Sequence, residues 1–236
     1  MSNFTQDLFL LLHYSSKKDA IAELHPDTSN LIVAGGILVE LLLAGRLRLD
    51  ERTLVVTDAE TTGDEILDEA LARLAPAQPR KPDDPEWIGP IAQQLPPGGR
   101  LLDQLLNTGI LHREEKRGLF GLSRSVIYLL APDVAQQLLD RQLNVMLHGA
   151  KPDPHTAALL LMAGAWGHDA LVKLSGKEKK VWQKRWDILF SDYWGWYPAD
   201  HEMEPIKGLA PATRKAIGDV ALSWISIQSS YVSAQY

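Results

Sequence analysis

Residues 29–45 have the sequence SNLIVAGGILVELLLAG, in which Glu40 is the single charged residue. The apolar side chains surround the helical axis instead of following one stripe, a distribution typical of a helix enclosed by other elements. Ser29 or Asn30 can cap the amino end, and Gly45 stands where a glycine commonly ends a helix. The segment therefore predicts a buried central helix around which the other elements pack.

Hydrophobic patterns on both sides of this segment predict further helices and two short hairpins. The predicted helices are 4–13, 62–74, 87–95, 101–107, 132–147, 153–168, 177–190 and 211–228, and the predicted hairpins are 46–57 and 110–130. The predicted fold class is mainly α: a central helical bundle with surrounding helices and two short β-hairpins. Residues 1–236 are predicted to form a single domain, with a proline-rich loop at about 75–86.

Composition excludes several classes of site. The 236 residues include no cysteine, which rules out disulfides, thiolate zinc sites and cysteine nucleophiles. The net charge of -6 argues against nucleic-acid binding, which usually requires a basic excess. The chain starts without a basic leader, and its first apolar run, residues 8–12, is too short to cross a bilayer. These features predict a cytoplasmic protein whose contact with the cytoplasmic membrane face is peripheral.

Several motifs occur in a fixed order along the chain. They are GILVELLLAGRL at 36–47, TGDEILDEAL at 62–71, Trp87-Ile88, LLNTGIL at 105–111 and PDPHTAAL at 152–159. Together they resemble the Golgi phosphoprotein 3 family over roughly residues 5–225, and the compact start resembles a bacterial-type member. The resemblance implies a Golgi phosphoprotein 3-like domain and a peripheral membrane protein. It also implies phosphatidylinositol 4-phosphate binding and an adaptor role for glycosyltransferase tails, as in eukaryotic members.

The resemblance also implies where a lipid head group would bind. The family's pocket has a tryptophan before the central helix, an arginine within it, and basic residues on the helix after the second hairpin. The matching positions here are His25, Ala34, Gln137, Asp140 and Arg141. His25 and Arg141 are therefore the head-group candidates, in a degraded pocket that keeps one of the cations. A phosphorylated head group needs several cationic or N–H donors to offset its desolvation.

A second set of candidates lies on the predicted helix near 177–190. Its basic and tryptophan residues have the composition of an interfacial membrane helix, and each basic residue near anionic lipid contributes about 1 kcal/mol. The candidates are Lys177, Lys180, Trp182, Lys184, Arg185 and Trp186. In the alternative interpretation the tryptophans pack inward and the lysines are simply solvated. Leu119 and Phe120, at the second hairpin tip, are candidates for membrane insertion if exposed, with a buried tip as the alternative.

The sequence offers no catalytic constellation. Histidines and carboxylates at 148–169 fit no standard metal-ligand spacing, and the acidic residues at 64–69 fit a helix amino terminus, which favours negative charge. We therefore predict no catalytic residues, no metal, no cofactor and no enzymatic activity. The predicted function is a peripheral membrane module that binds anionic lipid or phosphoinositide head groups. The alternative is a protein–protein adaptor for a client, or a homo-oligomer, that retains only the family fold.

Overall fold

A computed structural model describes residues 3–15, 20–21, 26–50, 53–75, 91–92, 95–117, 123–165 and 174–190. Over these residues the fold is mainly helical, as predicted. The helices are α1 (Phe4–His13), α2 (Pro26–Leu43), α3 (Glu65–Leu74), α4 (Pro97–Asn107), α5 (Pro132–His148), α6 (Pro154–Ala165) and α7 (Gly176–Phe190). The strands are β1 (Tyr14–Ser15), β2 (Ala20–Ile21), β3 (Leu47–Asp50), β4 (Thr53–Val56), β5 (Leu111–Arg117) and β6 (Ser123–Leu129). The helices predicted at 87–95 and 211–228, and the loop at 75–86, fall largely or wholly outside the described residues.

Helix α2 is the predicted central helix. Residues 32–39 are all buried, and α2 packs against α1, α3, α4, α6 and β3. It begins at Pro26, three residues earlier than predicted, in a first turn that tolerates proline. The predicted caps Ser29 and Asn30 therefore lie within the helix. The predicted glycine end is confirmed: Gly45 has a φ of 71°, and the N–H of Arg46 donates to the Leu41 carbonyl at 2.9 Å. The chain therefore leaves α2 in the direction of β3.

The two predicted hairpins are both present, but the second belongs to a larger sheet. Strands β3 and β4 pair antiparallel by themselves, whereas β5 and β6 join β1 and β2 in the antiparallel order β1-β2-β6-β5. Residues Ala20 and Ile21 pair with Tyr128 and Ile127. The sequence analysis missed β1 and β2 because two-residue strands contain no alternating pattern. They connect the start of the chain to the second hairpin.

Helix α4 begins at Pro97, four residues before the helix predicted at 101–107. Pro97 takes the first helical position, where its missing N–H has no partner to lose. The N–H of Gly98 donates to the side-chain oxygen of Asn30 at 2.9 Å. A Cβ at Gly98 would lie 2.7 Å from the Ser29 hydroxyl oxygen and 2.8 Å from the Ser29 carbonyl carbon. The close crossing of α4 over α2 therefore requires glycine at this position.

We expect Gly98→Ala to lower the free energy of unfolding by about 1–3 kcal/mol, because the added methyl forces the backbones of α2 and α4 apart. Urea denaturation measures the loss. Gly99→Ala is the matched control, because nothing lies within 4 Å of its Cβ and alanine favours the helix. Equal effects of the two substitutions would contradict this account of the crossing.

His13, the last residue of α1, is a buried neutral imidazole. Its Nδ1 lies 2.7 Å from the Phe9 carbonyl oxygen, and its ring stacks on Phe9 with centroids 4.0 Å apart. Burial lowers the pKa of His13 from its ordinary 6.5 to about 4, although the hydrogen bond to the Phe9 carbonyl opposes this shift. In the folded protein His13 therefore stays uncharged over a range in which the unfolded chain binds a proton.

This difference makes stability depend on pH. The contribution of neutral His13 is fully present above pH 6.5 and is lost as the pH falls towards about 4, by up to about 1.4 kcal/mol per pH unit. We expect His13→Gln to flatten the dependence of unfolding free energy on pH over this range, measured by denaturation at several pH values. His112→Gln, the same substitution at an exposed position on β5, is the matched control. An unchanged slope in His13→Gln would refute the assignment.

Candidate functional site

Helix α7 starts with a reciprocal pair of caps. The N–H of Ser175 donates to the Glu178 carboxylate at 2.7 Å, and the N–H of Glu178 donates to the Ser175 hydroxyl oxygen at 3.3 Å. This capping box satisfies two N–H groups that a helix start otherwise leaves without partners. Hydrogen bonds with Ser175 lower the pKa of Glu178, so the carboxylate is committed to the cap. The cap fixes where α7 begins.

Three lysines form one row on the solvent side of α7. Lys177, Lys180 and Lys184 are spaced three and four residues apart, which places them within about 60° of one another around the helix. All three are exposed, and we call them the lysine stripe. Val181 lies beside the stripe and is 46% exposed. The stripe therefore presents three ammonium groups and one apolar side chain to solvent.

The positive charge of the stripe is not neutralised by ion pairs. Among the residues that the structure describes, none of the three lysines is within salt-bridge distance of a carboxylate. Glu178 holds the cap, and Asp187, one turn beyond Lys184, accepts a hydrogen bond from the Gln183 amide at 2.9 Å. Like charges three or four residues apart repel by a few tenths of a kcal/mol per pair. The stripe is therefore suited to an anionic partner.

The opposite side of α7 holds the helix against the body. Trp182 is 6% exposed and lies in the hydrophobic core, and Trp186 is partly buried against that core. Helix α7 packs on α5. Trp182 therefore packs inward, as the alternative interpretation of this helix expected. It does not reach the surface and is no longer a candidate for membrane contact. Trp182 and Trp186 each follow a stripe lysine by two residues, which places them about 160° around the helix from it.

Arg185 also turns towards the body. Its Nη2 lies 3.4 Å and 3.5 Å from the carbonyl oxygens of Gly149 and Ala150, just beyond the end of α5, and its Nε is buried without a partner. A cation at the carboxyl end of a helix complements the helix dipole. Arg185 therefore bridges α7 and α5, and the outward charge of α7 near the stripe comes from the lysines.

The head-group candidates are not gathered into one site among the described residues. Arg141 is exposed on α5, and its Nε donates to the Gln137 carbonyl of its own helix at 3.4 Å. Ala34 is fully buried inside α2, so this position presents only a methyl group to the core. Asp140 accepts a hydrogen bond from the Gln136 amide at 2.8 Å. His25, Leu119 and Phe120 lie outside the described residues.

Sequence analysis missed a polar cluster at the start of α1. His155 Nε2 on α6 lies 2.9 Å from Asp7 Oδ2 on α1, while Asp7 Oδ1 is buried without a partner. Glu40 on α2 accepts hydrogen bonds from the N–H of Thr5, at 3.1 Å, and from its hydroxyl. Burial raises the pKa of Glu40, and the bonds from Thr5 oppose this shift. The only sequence signal was the lone charge within the apolar run of α2. The cluster joins α1 to α2 and α6.

The described fold and surface define a mainly helical protein with an exposed basic helix on one side. No helix in the described residues is both long and apolar enough to cross a membrane. Residues 5–220 match the family model of Golgi phosphoprotein 3 (GPP34), and the chain belongs to this family. The family resemblance seen in the sequence is thereby confirmed. No curated protein matches the chain.

The two faces of α7 give opposite expectations for neighbouring residues. We expect Trp182→Ala to lower the free energy of unfolding by about 3–5 kcal/mol, because it leaves a cavity in the core. Val181→Ala, one residue away on the exposed side, should change it by less than about 0.5 kcal/mol. Denaturant unfolding of both variants tests this difference. A Trp182→Ala variant as stable as the parent would show that the indole does not pack inward.

Proposed function

We propose that this protein is a peripheral membrane module that docks on anionic lipid head groups, with the lysine stripe of α7 as its docking face. The observation that carries the proposal is a row of three exposed lysines that lack ion pairs within the described residues. Membership of the Golgi phosphoprotein 3 family supports it. The proposal makes the protein a binding module and not an enzyme, acting at the cytoplasmic face of a membrane.

The charge of the stripe is large enough to change membrane affinity measurably. A basic residue close to an anionic leaflet contributes about 1 kcal/mol, so three lysines contribute about 3 kcal/mol, or roughly a hundredfold in membrane partition. Attraction of this kind is screened by salt over about 10 Å at 0.1 M ionic strength. Binding that depends on the stripe should therefore weaken steadily as salt is added.

In this proposal the degraded phosphoinositide pocket contributes less to membrane binding than the lysine stripe does. Of its positions in the described residues, only Arg141 carries a positive charge, and it lies on an exposed helix face beside Asp140. One guanidinium supplies too few donors to hold a phosphorylated head group by itself. We therefore propose that Arg141 and His25 assist docking, and that the lysine stripe provides most of the attraction.

The alternative function, an adaptor for a protein client or a homo-oligomer, requires a contiguous exposed apolar patch. Within the described residues the large exposed hydrophobic side chains are Leu130, at 59% exposure, and Val181. Two such residues are ordinary for a monomer surface. The surface of the described residues therefore favours the lipid proposal over the adaptor.

We expect the triple variant Lys177→Gln/Lys180→Gln/Lys184→Gln to lose roughly a hundredfold of the parent's affinity for vesicles containing an anionic phospholipid at low salt. Flotation with defined vesicles measures the bound fraction. The control triple Arg48→Gln/Arg73→Gln/Arg113→Gln removes the same charge from β3, α3 and β5, and should retain most of the binding. If the parent protein does not float with any anionic vesicle at low salt, the proposed function is wrong.

A further inference from the structure

This inference rests on the proposed function. We infer that α7 recognises the surface of an anionic bilayer as a whole and not one lipid head group, and that it responds to the bilayer's charge density and apolar interior. The ligand class is any anionic phospholipid presented in a bilayer. Two features of α7 carry the inference: the linear arrangement of the lysine stripe and the exposed aliphatic side chain beside it.

The stripe is linear and does not converge on a point. Lys177 and Lys184 are seven residues apart, which corresponds to about 10 Å along the helix axis, with Lys180 between them. A site for one phosphorylated head group brings several donors to the same phosphate, often with the bidentate geometry of arginine. Lysine ammonium groups are flexible point charges without such geometry. A row of them is suited to several separate head groups lying side by side.

The family's pocket positions that the structure describes do not form a convergent head-group site. The fully buried Ala34 offers no donor, and the Nε of Arg141 already donates to the carbonyl of Gln137. Asp140, the neighbour of Arg141, repels an anion. Helix α7 therefore carries more exposed cations without carboxylate partners than remain at the family's pocket positions in the described residues.

Val181 supplies the preference for a bilayer over a dissolved polyanion. It lies about 40° around the helix from Lys177 and is 46% exposed, an aliphatic group on an otherwise polar face. An amphipathic helix lying in the interface buries such groups at the boundary between head groups and acyl chains. The aliphatic stems of the lysines bury in the same layer while their charges stay with the phosphates. A soluble polyanion offers no apolar layer to bury Val181.

The full chain is tested by flotation with three phosphatidylcholine vesicles of matched surface charge. Their anionic lipid is phosphatidylglycerol, phosphatidylserine or phosphatidylinositol 4-phosphate. We expect partition coefficients within about threefold of one another, all decreasing with salt. Val181→Ser should weaken binding to all three by roughly threefold to fivefold, and Val181→Leu should not weaken it. Leu130→Ser, which removes a more exposed aliphatic group outside α7, should have no effect.

The possible failures are distinguishable. Binding confined to vesicles with phosphatidylinositol 4-phosphate would overturn the inference and leave the proposed function intact, with a head-group pocket as its basis. Unchanged binding by Val181→Ser, with equal binding to soluble polyphosphate, would also overturn it, because the bilayer would then not be what α7 recognises. Absence of binding to all three vesicles would reject the proposed function itself.

Discussion

The enclosure of α2 constrains the rest of the molecule. A helix that is apolar on every side has no face to present to water, so it must be covered by other elements all around. Helices α1, α3, α4 and α6, together with strand β3, provide that cover. Where a neighbour comes closest, a small residue is needed, as at Gly98 on α4. Folding of this chain therefore depends on how completely the surrounding elements exclude water from α2.

Enclosure also explains how the single charge of α2 is accommodated. A partly buried carboxylate is costly unless hydrogen bonds replace the hydration it has lost, and Glu40 obtains them from the backbone and hydroxyl of Thr5. The neighbouring pair of Asp7 and His155 joins α1 to α6. These partly buried polar contacts restrict α1 to one position over α2, because sliding the helix would leave Glu40 without partners. Their role is structural, whereas the charges of the lysine stripe on α7 are exposed to solvent.

Local patterns predicted those parts of the fold that depend on neighbours in sequence. Helix α1 has the predicted bounds, Gly45 ends α2, and both hairpins occur where alternation indicated them. The predicted start of α4, at residue 101, was wrong because a Pro-Pro-Gly-Gly run can end one helix or begin another, and only the packing of Gly98 against α2 distinguishes the two. The Asp7–His155 contact spans 148 positions, so no local pattern indicates it.

The candidate site, too, was predictable where it depends on spacing within one helix, and not where it depends on packing. The three- and four-residue spacing of Lys177, Lys180 and Lys184 was visible in the sequence, because a helix converts such spacing into one face. Which side of α7 would face inward was not visible, since tryptophans occur both in membrane interfaces and in cores. The structure places Trp182 in the core, and that placement leaves the lysines outside.

The buried face of α7 in turn affects how its exposed face can act. Many surface-binding helices are disordered in solution and lose part of their binding free energy to ordering on the membrane. Helix α7 is already ordered: Ser175 and Glu178 cap its start, and Trp182 fixes its rotation against the core. The lysines therefore occupy one line before any ligand arrives, and most of their attraction is available for docking. The same tryptophan that was a candidate for the membrane thus serves the proposed docking face from inside the protein.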